Sequence, residues 1–103
     1  MPLDQARRKH MRTIGHDLHP IVTLSDKGLS DGVKAELERA LEDHELIKIK
    51  LAVGDPAARR ELVDEICTNL RAERVQQVGK VALLYRPAQK PNPRLSNLIR
   101  PVG

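Results

Sequence analysis

Thr23-Leu24-Ser25-Asp26-Lys27-Gly28-Leu29-Ser30-Asp31-Gly32-Val33 is the most informative segment of this chain, because it carries a strand into a helix through a short glycine-containing loop. The apolar run 21–24 predicts a buried strand that enters the loop. Ser30 is a favourable N-cap for the helix that leaves it. Such a loop presents backbone N–H groups beside the positive end of a helix dipole, where a phosphate binds without any catalytic group. The segment therefore predicts an anion-binding loop between a strand and a helix.

Hydrophobic periodicity on either side of this loop predicts three helices and four strands. Pro20 opens the first strand, where its missing N–H is tolerated, and Gly15 is the expected stop of the helix before it. Asp55-Pro56 is a strong helix start, and Gly79-Lys80 suits a tight hairpin. The elements are predicted, in chain order, at residues 3–15, 20–24, 30–45, 47–53, 55–70, 74–78 and 81–85. The order αβαβαββ predicts a single small α/β domain with a four-stranded mixed sheet packed with three helices.

The strand after the second helix has the clearest pattern in the chain. Its apolar residues alternate strictly with two lysines and an alanine, and period two places the two sets on opposite faces of a sheet. The sheet is therefore expected to have one packed face and one solvated, basic face. The apolar set is Ile47, Ile49, Leu51 and Val53, and the other set is Lys48, Lys50 and Ala52.

Charge is distributed unevenly along the 103 residues, whose formal net charge is +4. Residues 1–19 carry a net charge of +2 and residues 86–103 one of +4, which leaves the middle at −2. Basic ends are typical of proteins that meet polyanions, although a solvated surface with a cationic tail would show the same pattern.

Residues 88–103 are predicted to be a basic, proline-containing tail that follows a domain over residues 1–87. Because the tail has little periodicity and only positive charge, we expect an electrostatic arm that adds nothing to the core. The alternative is a tail that folds back through a short apolar stripe formed by Leu95, Leu98 and Ile99.

The residues give little support to catalysis, metal binding or membrane insertion. His16 and His19 lack an identifiable third ligand, so no metal is expected. Cys67 lies on the apolar stripe of the third helix and is expected to be an inert core thiol, and a single cysteine fits a reducing cytoplasm. No stretch is long and apolar enough to span a membrane. We therefore expect a non-enzymatic protein without cofactor or small-molecule substrate.

The aromatic content restricts which nucleic-acid binding mode is open to the chain. It contains no Trp or Phe, and Tyr85 is its single aromatic ring. Proteins that read single strands on a sheet surface stack bases on several exposed aromatic rings, so this class is excluded. What remains is recognition of backbone and shape, as in KH domains, which clamp RNA with a Gly-x-x-Gly loop. The corresponding tetrad here is Ser25-Asp26-Lys27-Gly28.

Several separate segments, in the right order, resemble the CRM domain in its standalone bacterial form, the YhbY-like family. The resemblance covers roughly residues 5–87. The segments that carry it are His19-Pro20-Ile21-Val22, Gly28-Leu29-Ser30-Asp31-Gly32-Val33, Glu36-Leu37 with Ala40-Leu41, His44-Glu45-Leu46-Ile47-Lys48-Ile49, and Val78-Gly79-Lys80 leading to Leu84-Tyr85-Arg86-Pro87.

This resemblance implies a fold related to the C-terminal domain of bacterial translation initiation factor 3. It also implies RNA binding without catalysis, since standalone bacterial members associate with precursors of the large ribosomal subunit. The expected partner is therefore ribosomal RNA, bound by a cytoplasmic monomer. The alternative is a protein–protein interaction module that recruits a ribosomal protein or an assembly factor.

The candidate RNA-binding residues form a loop and its extensions. In the family the loop is usually Gly-x-x-Gly, and Ser25 stands here in place of the first glycine. Serine would cost roughly 1 kcal/mol if that position needs a positive φ. Alternatively, it holds an ordinary turn and offers its hydroxyl to a phosphate. The loop candidates are Ser25, Asp26, Lys27, Gly28, Leu29 and Ser30, extended by Arg7, Arg8 and Arg12 on the first helix and by Lys48 and Lys50 on the sheet.

Overall fold

Helices and strands alternate along residues 3–99, which are the part of the chain that the computed structural model describes. The predicted order αβαβαββ and the small α/β fold are confirmed. In chain order the elements are α1 (Gln5–His16), β1 (Pro20–Leu24), α2 (Asp31–His44), β2 (Leu46–Leu51), α3 (Pro56–Leu70), β3 (Glu73–Val78) and β4 (Val81–Tyr85).

The four strands form one mixed sheet in the order β1-β2-β4-β3. β1 and β2 are parallel, and β4 is antiparallel to both β2 and β3. The carboxyl ends of β1 and β2 therefore meet at one edge of the sheet, where the β1–α2 loop begins. The β3–β4 hairpin reaches the same edge, because the Leu51 N–H donates to the Lys80 carbonyl oxygen at 2.7 Å. We call this the loop edge.

Side-chain caps start both helices that leave the loop edge. Ser30 accepts a hydrogen bond from the Val33 N–H at 3.3 Å, and Asp55 accepts from the N–H groups of Ala57 and Ala58. Both caps were predicted, since each side chain satisfies an N–H that has no partner within its helix. They fix the N-termini of α2 and α3 at the same edge as the loop.

The main core lies between the sheet and helices α2 and α3. The predicted alternation of β2 is confirmed on this face, because its apolar side chains are fully buried there. Ile47, Ile49 and Leu51 pack with Leu37 and Leu41 of α2 and with Val63 and Ile66 of α3.

The opposite face of the sheet is less open than the alternation predicts. Helix α1 packs across it and forms a second apolar cluster with Met11, Leu46, Val75, Leu83 and Tyr85. As a result Lys50 is exposed but Lys48 is only half-exposed. The expectation of a wholly solvated face is therefore wrong, since an amphipathic helix covers part of it.

Gly15 does not end α1 as predicted, because the helix continues to His16. A Cβ atom at position 15 would lie 2.5 and 2.7 Å from the two Cδ atoms of Leu83. The absence of a Cβ at this position therefore allows the close approach of the helix to Leu83 of β4. The glycine does not act as a helix stop.

Residues 88–98 lie on the domain instead of extending away from it. The Ser96 side chain is fully buried and donates to a carboxylate oxygen of Glu45 at 2.8 Å. The other carboxylate oxygen accepts the Ala88 N–H, also at 2.8 Å. Asn97 donates to the Leu46 carbonyl oxygen, and Leu98 packs against the second cluster.

The expectation that the tail adds nothing to the core is therefore wrong for this segment. Polar side chains hold most of it, whereas Leu95 and Ile99 of the alternative apolar stripe stay exposed. The boundary at residue 87 stays a prediction. Residues 100–103, which belong to the predicted tail, lie outside the described residues.

Candidate nucleic-acid interface

The β1–α2 loop is a tight turn that its own residues close. The Gly28 N–H donates to the Ser25 carbonyl oxygen at 2.9 Å, and the Ser25 hydroxyl accepts the Lys27 N–H at 3.3 Å. Gly28 has a φ of 72°, a left-handed conformation that glycine adopts without cost. No atom lies within 4 Å of the position of a Cβ there, so the requirement for glycine comes from backbone conformation alone.

Ser25 does not need the conformational freedom of the family's usual glycine. Among the non-glycine residues of segment 3–99, only Glu45 and Arg71 have a positive φ. The serine therefore sits unstrained, and its hydroxyl supports the turn. Of the two alternatives for this position, the structure shows the ordinary turn.

Several backbone N–H groups in and after the loop have no recorded acceptor within residues 3–99. The Ser30 N–H is not one of them, because it donates to the Gly28 carbonyl oxygen at 3.1 Å. For Leu29, Asp31 and Gly32 the structure records no intramolecular acceptor of the backbone N–H within residues 3–99. The last two belong to the first turn of α2, whose N–H groups lack intrahelical partners and carry the positive end of the dipole. The geometry at this point suits an anion.

The side chains of the loop divide into an anchor and an exposed group. Leu29 is half-buried and packs against the main core, which holds the loop in place. Ser25, Asp26 and Lys27 are exposed at the tip. The Lys27 ammonium group thus stands beside these N–H groups, with two exposed carboxylates nearby, Asp26 in the loop and Asp31 in the first turn of α2.

The lysines of β2 continue this surface across the sheet. Lys50 pairs in register with Thr23, only two residues before the start of the loop, and both side chains are exposed. Lys48 lies further from the loop edge, at the side of α1. The structure records no hydrogen bond or ion pair from either ammonium group to any described residue.

The three arginines of α1 are not equivalent. Arg8 was expected to face solvent, but it donates to the carbonyl oxygens of Arg74 and Val75 on β3. The guanidinium of Arg7 lies 5.5 Å from the centre of the Tyr85 ring, which is a cation–π distance. Arg12 is half-exposed and lines a groove between α1 and the sheet. Of the three, only Arg12 lies beside Lys48. We call the cations Lys27, Lys48, Lys50 and Arg12 the basic surface. Arg8 instead holds α1 against β3.

Two further lysines belong to the basic surface, although they are not among the predicted residues. Lys9 lines the same groove as Arg12, and their spacing of three along α1 was the signal that places them on one face. Lys80 lies at the loop edge, where its carbonyl oxygen accepts the Leu51 N–H. Only the strand pairing brings the hairpin to that edge, so no local pattern could have identified it.

The described residues contain no cluster of side chains suited to a metal ion. Within segment 3–99 no group of three or more His, Cys, Asp or Glu side chains could hold a metal ion. Burial raises the pKa of the Cys67 thiol, so the neutral thiol is the favoured form at neutral pH. No helix in this part of the chain has both the length and the apolar character that crossing a membrane requires.

Comparison with known proteins adds to this geometry. A Pseudomonas aeruginosa protein, named as a probable RNA-binding protein, is 50% identical over 103 residues, which are 100% of this chain and 99% of that protein. A Haemophilus influenzae protein named RNA-binding protein is 36% identical over 88 residues, which cover 85% of this chain and 89% of its own length.

The fold has a counterpart among solved structures. The solution structure of a hypothetical Staphylococcus aureus protein matches with a TM-score of 0.76 at 24% identity, over 86% of this chain and 93% of that one. The family model described as the CRS1 / YhbY (CRM) domain matches residues 3–86. The predicted family is therefore confirmed, and the chain belongs to the CRS1/YhbY (CRM) domain family.

Proposed function

We propose that this protein binds RNA without catalysis and that its target is ribosomal RNA in precursors of the large ribosomal subunit, in the cytoplasm. The observation that carries the proposal is the loop edge. There a closed turn, free N–H groups of the α2 N-terminus and the exposed Lys27 side chain lie together. The relatives named as RNA-binding proteins support RNA as the partner. The large-subunit target rests on the family resemblance.

The mode of binding follows from which groups face solvent. Backbone N–H groups and ammonium groups contact phosphate oxygens, so they supply affinity and position but little sequence information. Lys27, Lys50 and Lys80 provide three cations along or beside the loop edge, and Thr23 adds an exposed hydroxyl. Such a surface follows the sugar–phosphate backbone of a folded RNA and recognises its shape.

Crosslinking of the protein to RNA in growing cells, followed by sequencing of the attached fragments, tests this proposal. The wild-type protein and two variants are compared: Lys27→Glu at the loop and, as the matched control, Lys90→Glu at another exposed lysine, on the tail. We expect fragments enriched in precursors of large-subunit ribosomal RNA for the wild type and for Lys90→Glu. The Lys27→Glu variant should lose most of them while remaining folded.

Three results would contradict the proposal in different ways. Crosslinked fragments distributed over cellular RNAs in proportion to their abundance would contradict the ribosomal target but would still support RNA binding. Equal loss in both variants would show that total charge matters and the loop does not. Nuclease-resistant co-sedimentation with an isolated protein partner, without crosslinks to RNA, would favour the protein–protein module.

A further inference from the structure

A groove lies between α1 and the exposed part of the sheet, beside the basic surface. Its volume is about 680 Å³, within the range of pockets that enclose small organic ligands. Gly15 lets the helix approach Leu83 closely, and this contact forms one end of the floor. The groove is therefore recessed between two packed elements, and it is a feature separate from the loop.

The walls of the groove are cationic. Lys9 and Arg12 line it from α1, and Lys48 lines it from β2. The ion pairs recorded for residues 3–99 involve none of these three side chains. Asp17, a carboxylate at the rim, lies 3.4 Å from the His16 ring. Three cations without an intramolecular counter-ion favour an anionic occupant.

The floor of the groove is apolar and partly uncovered. Leu83 is buried, Val81 is half-buried and Val78 is 66% exposed, the highest exposure of any large hydrophobic side chain in segment 3–99. Gln76 lies beside them and offers an amide that both donates and accepts hydrogen bonds. An apolar floor with one amide and cationic walls is complementary to a ligand that has a flat apolar surface, polar edges and phosphates.

We propose that this groove binds an unpaired nucleotide of the RNA, with its phosphates on Lys9, Arg12 and Lys48 and its base against the Val78–Leu83 floor. This inference rests on the proposed function and deepens it, because it names the RNA structure that the protein selects. A continuous duplex keeps its bases stacked and is far too wide to enter a groove of this volume. A bulge, loop or single-stranded end supplies a base that can leave the stack.

The chemistry of the floor sets what kind of selectivity results. Tyr85 lies on the same face of the sheet but is buried beneath Arg7, so it offers no stacking surface. Contact with aliphatic side chains requires only a flat apolar face, which every base has. The groove therefore distinguishes unpaired from paired RNA while remaining tolerant of base identity, apart from what the Gln76 amide adds.

Three fluorescent RNA probes and the full-length protein test this inference. The first probe is a short hairpin with an uninterrupted stem, the second carries a 3′ extension of four uridines, and the third carries the same extension with abasic residues. We expect the uridine extension to tighten binding by about three- to tenfold, which is at or below the low end of what stacking on an aromatic ring contributes, because the floor is aliphatic. The abasic extension keeps the phosphates but has no base, so it should keep only the electrostatic part of this gain and bind more weakly than the uridine extension.

Two matched variants locate the effect. Val78→Thr replaces a floor methyl group by a hydroxyl. Ile21→Thr, the control, replaces an ethyl group by a hydroxyl at another exposed β-branched strand residue, which lies outside the groove. The gain from the uridine extension should fall to less than about half in Val78→Thr and stay unchanged in Ile21→Thr. Thermal melts establish that both variants are folded.

Each result bears on one of the two proposals. Equal affinity for all three probes, with binding still dependent on Lys27, would overturn the groove assignment and leave the proposed function in place. The same would follow if Val78→Thr kept the whole gain. Binding of none of the probes by folded protein would overturn both. Loss of the gain from the uridine extension in the presence of an unstructured acidic peptide, with binding of the plain hairpin kept, would indicate a protein ligand in the groove.

Discussion

The side of the molecule formed by α2 and the tail differs from the side formed by the loop and the groove in what its charged groups contact. On the α2 side, Arg86 forms an ion pair with Glu38 at 2.8 Å, and Glu42 and Glu45 accept N–H groups of residues 88–90. On the loop side, the ammonium groups of Lys27 and Lys50 have no recorded partner within residues 3–99.

This contrast separates charges that stabilise the fold from charges that are available to a ligand. Substitutions on the α2 side should lower stability with little effect on RNA binding, and substitutions on the loop side should do the reverse. A formal net charge of +4 is too small to reveal this division, because it counts partnered and unpartnered groups alike. Five changes, taken from the largest expected effect to the smallest, test the contrast.

Removal of residues 88–103 should have the largest effect on stability. The truncation leaves the Glu45 carboxylate without its bonds to Ser96 and Ala88 and uncovers the apolar surface beneath Leu98. We expect the free energy of unfolding to fall by about 2–4 kcal/mol and the melting temperature to fall by more than about 10 °C. Thermal melts at constant pH measure this. A melting temperature within about two degrees of that of the full chain would contradict this and support the alternative that the tail is a flexible electrostatic arm.

Ser96→Ala in the full-length chain is the smaller version of the same test. It removes one buried hydroxyl and leaves the cations of the tail in place, so a stability loss of about 1–3 kcal/mol cannot be attributed to charge. RNA affinity of the folded variant should match the wild type, as expected for the α2 side.

Gly15→Ala should have the next largest effect. The added Cβ would meet both Cδ atoms of buried Leu83, so the Leu83 side chain, the helix or β4 must move, at a cost of about 1–3 kcal/mol. Gly32→Ala is the matched control, because this glycine is also helical and nothing lies within 4 Å of its Cβ position. That control should be neutral or stabilising by up to about 1 kcal/mol. Denaturant unfolding compares the two, and equal effects would refute close packing at Gly15.

The two glycines also show what the sequence could and could not reveal. The alternation of β2 and the caps at Ser30 and Asp55 are local patterns, so the elements they define were predictable. Gly15 was interpreted as a stop because its role depends on Leu83, which lies 68 positions later in the chain. Propensity alone cannot distinguish a helix end from a close helix–sheet contact.

In the candidate site, too, the features set by local sequence were predictable and those set by distant residues were not. The turn around Gly28 follows from local sequence, and so does the N-terminus of α2. The inward position of Arg8 depends on carbonyl oxygens of β3, and the partial cover of Lys48 depends on where α1 packs. The tail was misjudged for a related reason: Ser96 and Asn97 hold it through polar contacts, and such contacts leave no hydrophobic period in the sequence.

Lys27→Ala should alter RNA binding without altering stability. If Lys27 neutralises one phosphate, the magnitude of the slope of log K against log salt should fall by about 0.7–0.9. Lys90→Ala removes an exposed lysine from the α2 side and should leave the slope unchanged. Titrations of one RNA at several salt concentrations give both slopes. Equal slopes for wild type and Lys27→Ala would show that the loop lysine contacts no phosphate. Lys27 could then no longer be assigned as the principal RNA-binding cation of the loop side.

Ser25→Gly restores the residue that the family usually has at this position and should have the smallest effect. Since Ser25 has an ordinary φ, glycine gains no needed conformation. It does lose the hydroxyl that accepts the Lys27 N–H, and it increases the freedom of the unfolded chain. We expect stability to fall by about 0.5–1 kcal/mol and RNA affinity to stay within about twofold.

Ser25→Ala removes the hydroxyl but adds no flexibility, so it separates the two causes. Denaturant unfolding and RNA titration of both variants decide the matter. A marked gain in affinity for glycine alone would mean that the loop must change conformation to reach RNA, and the closed turn around Gly28 would then be a resting state and not the binding state.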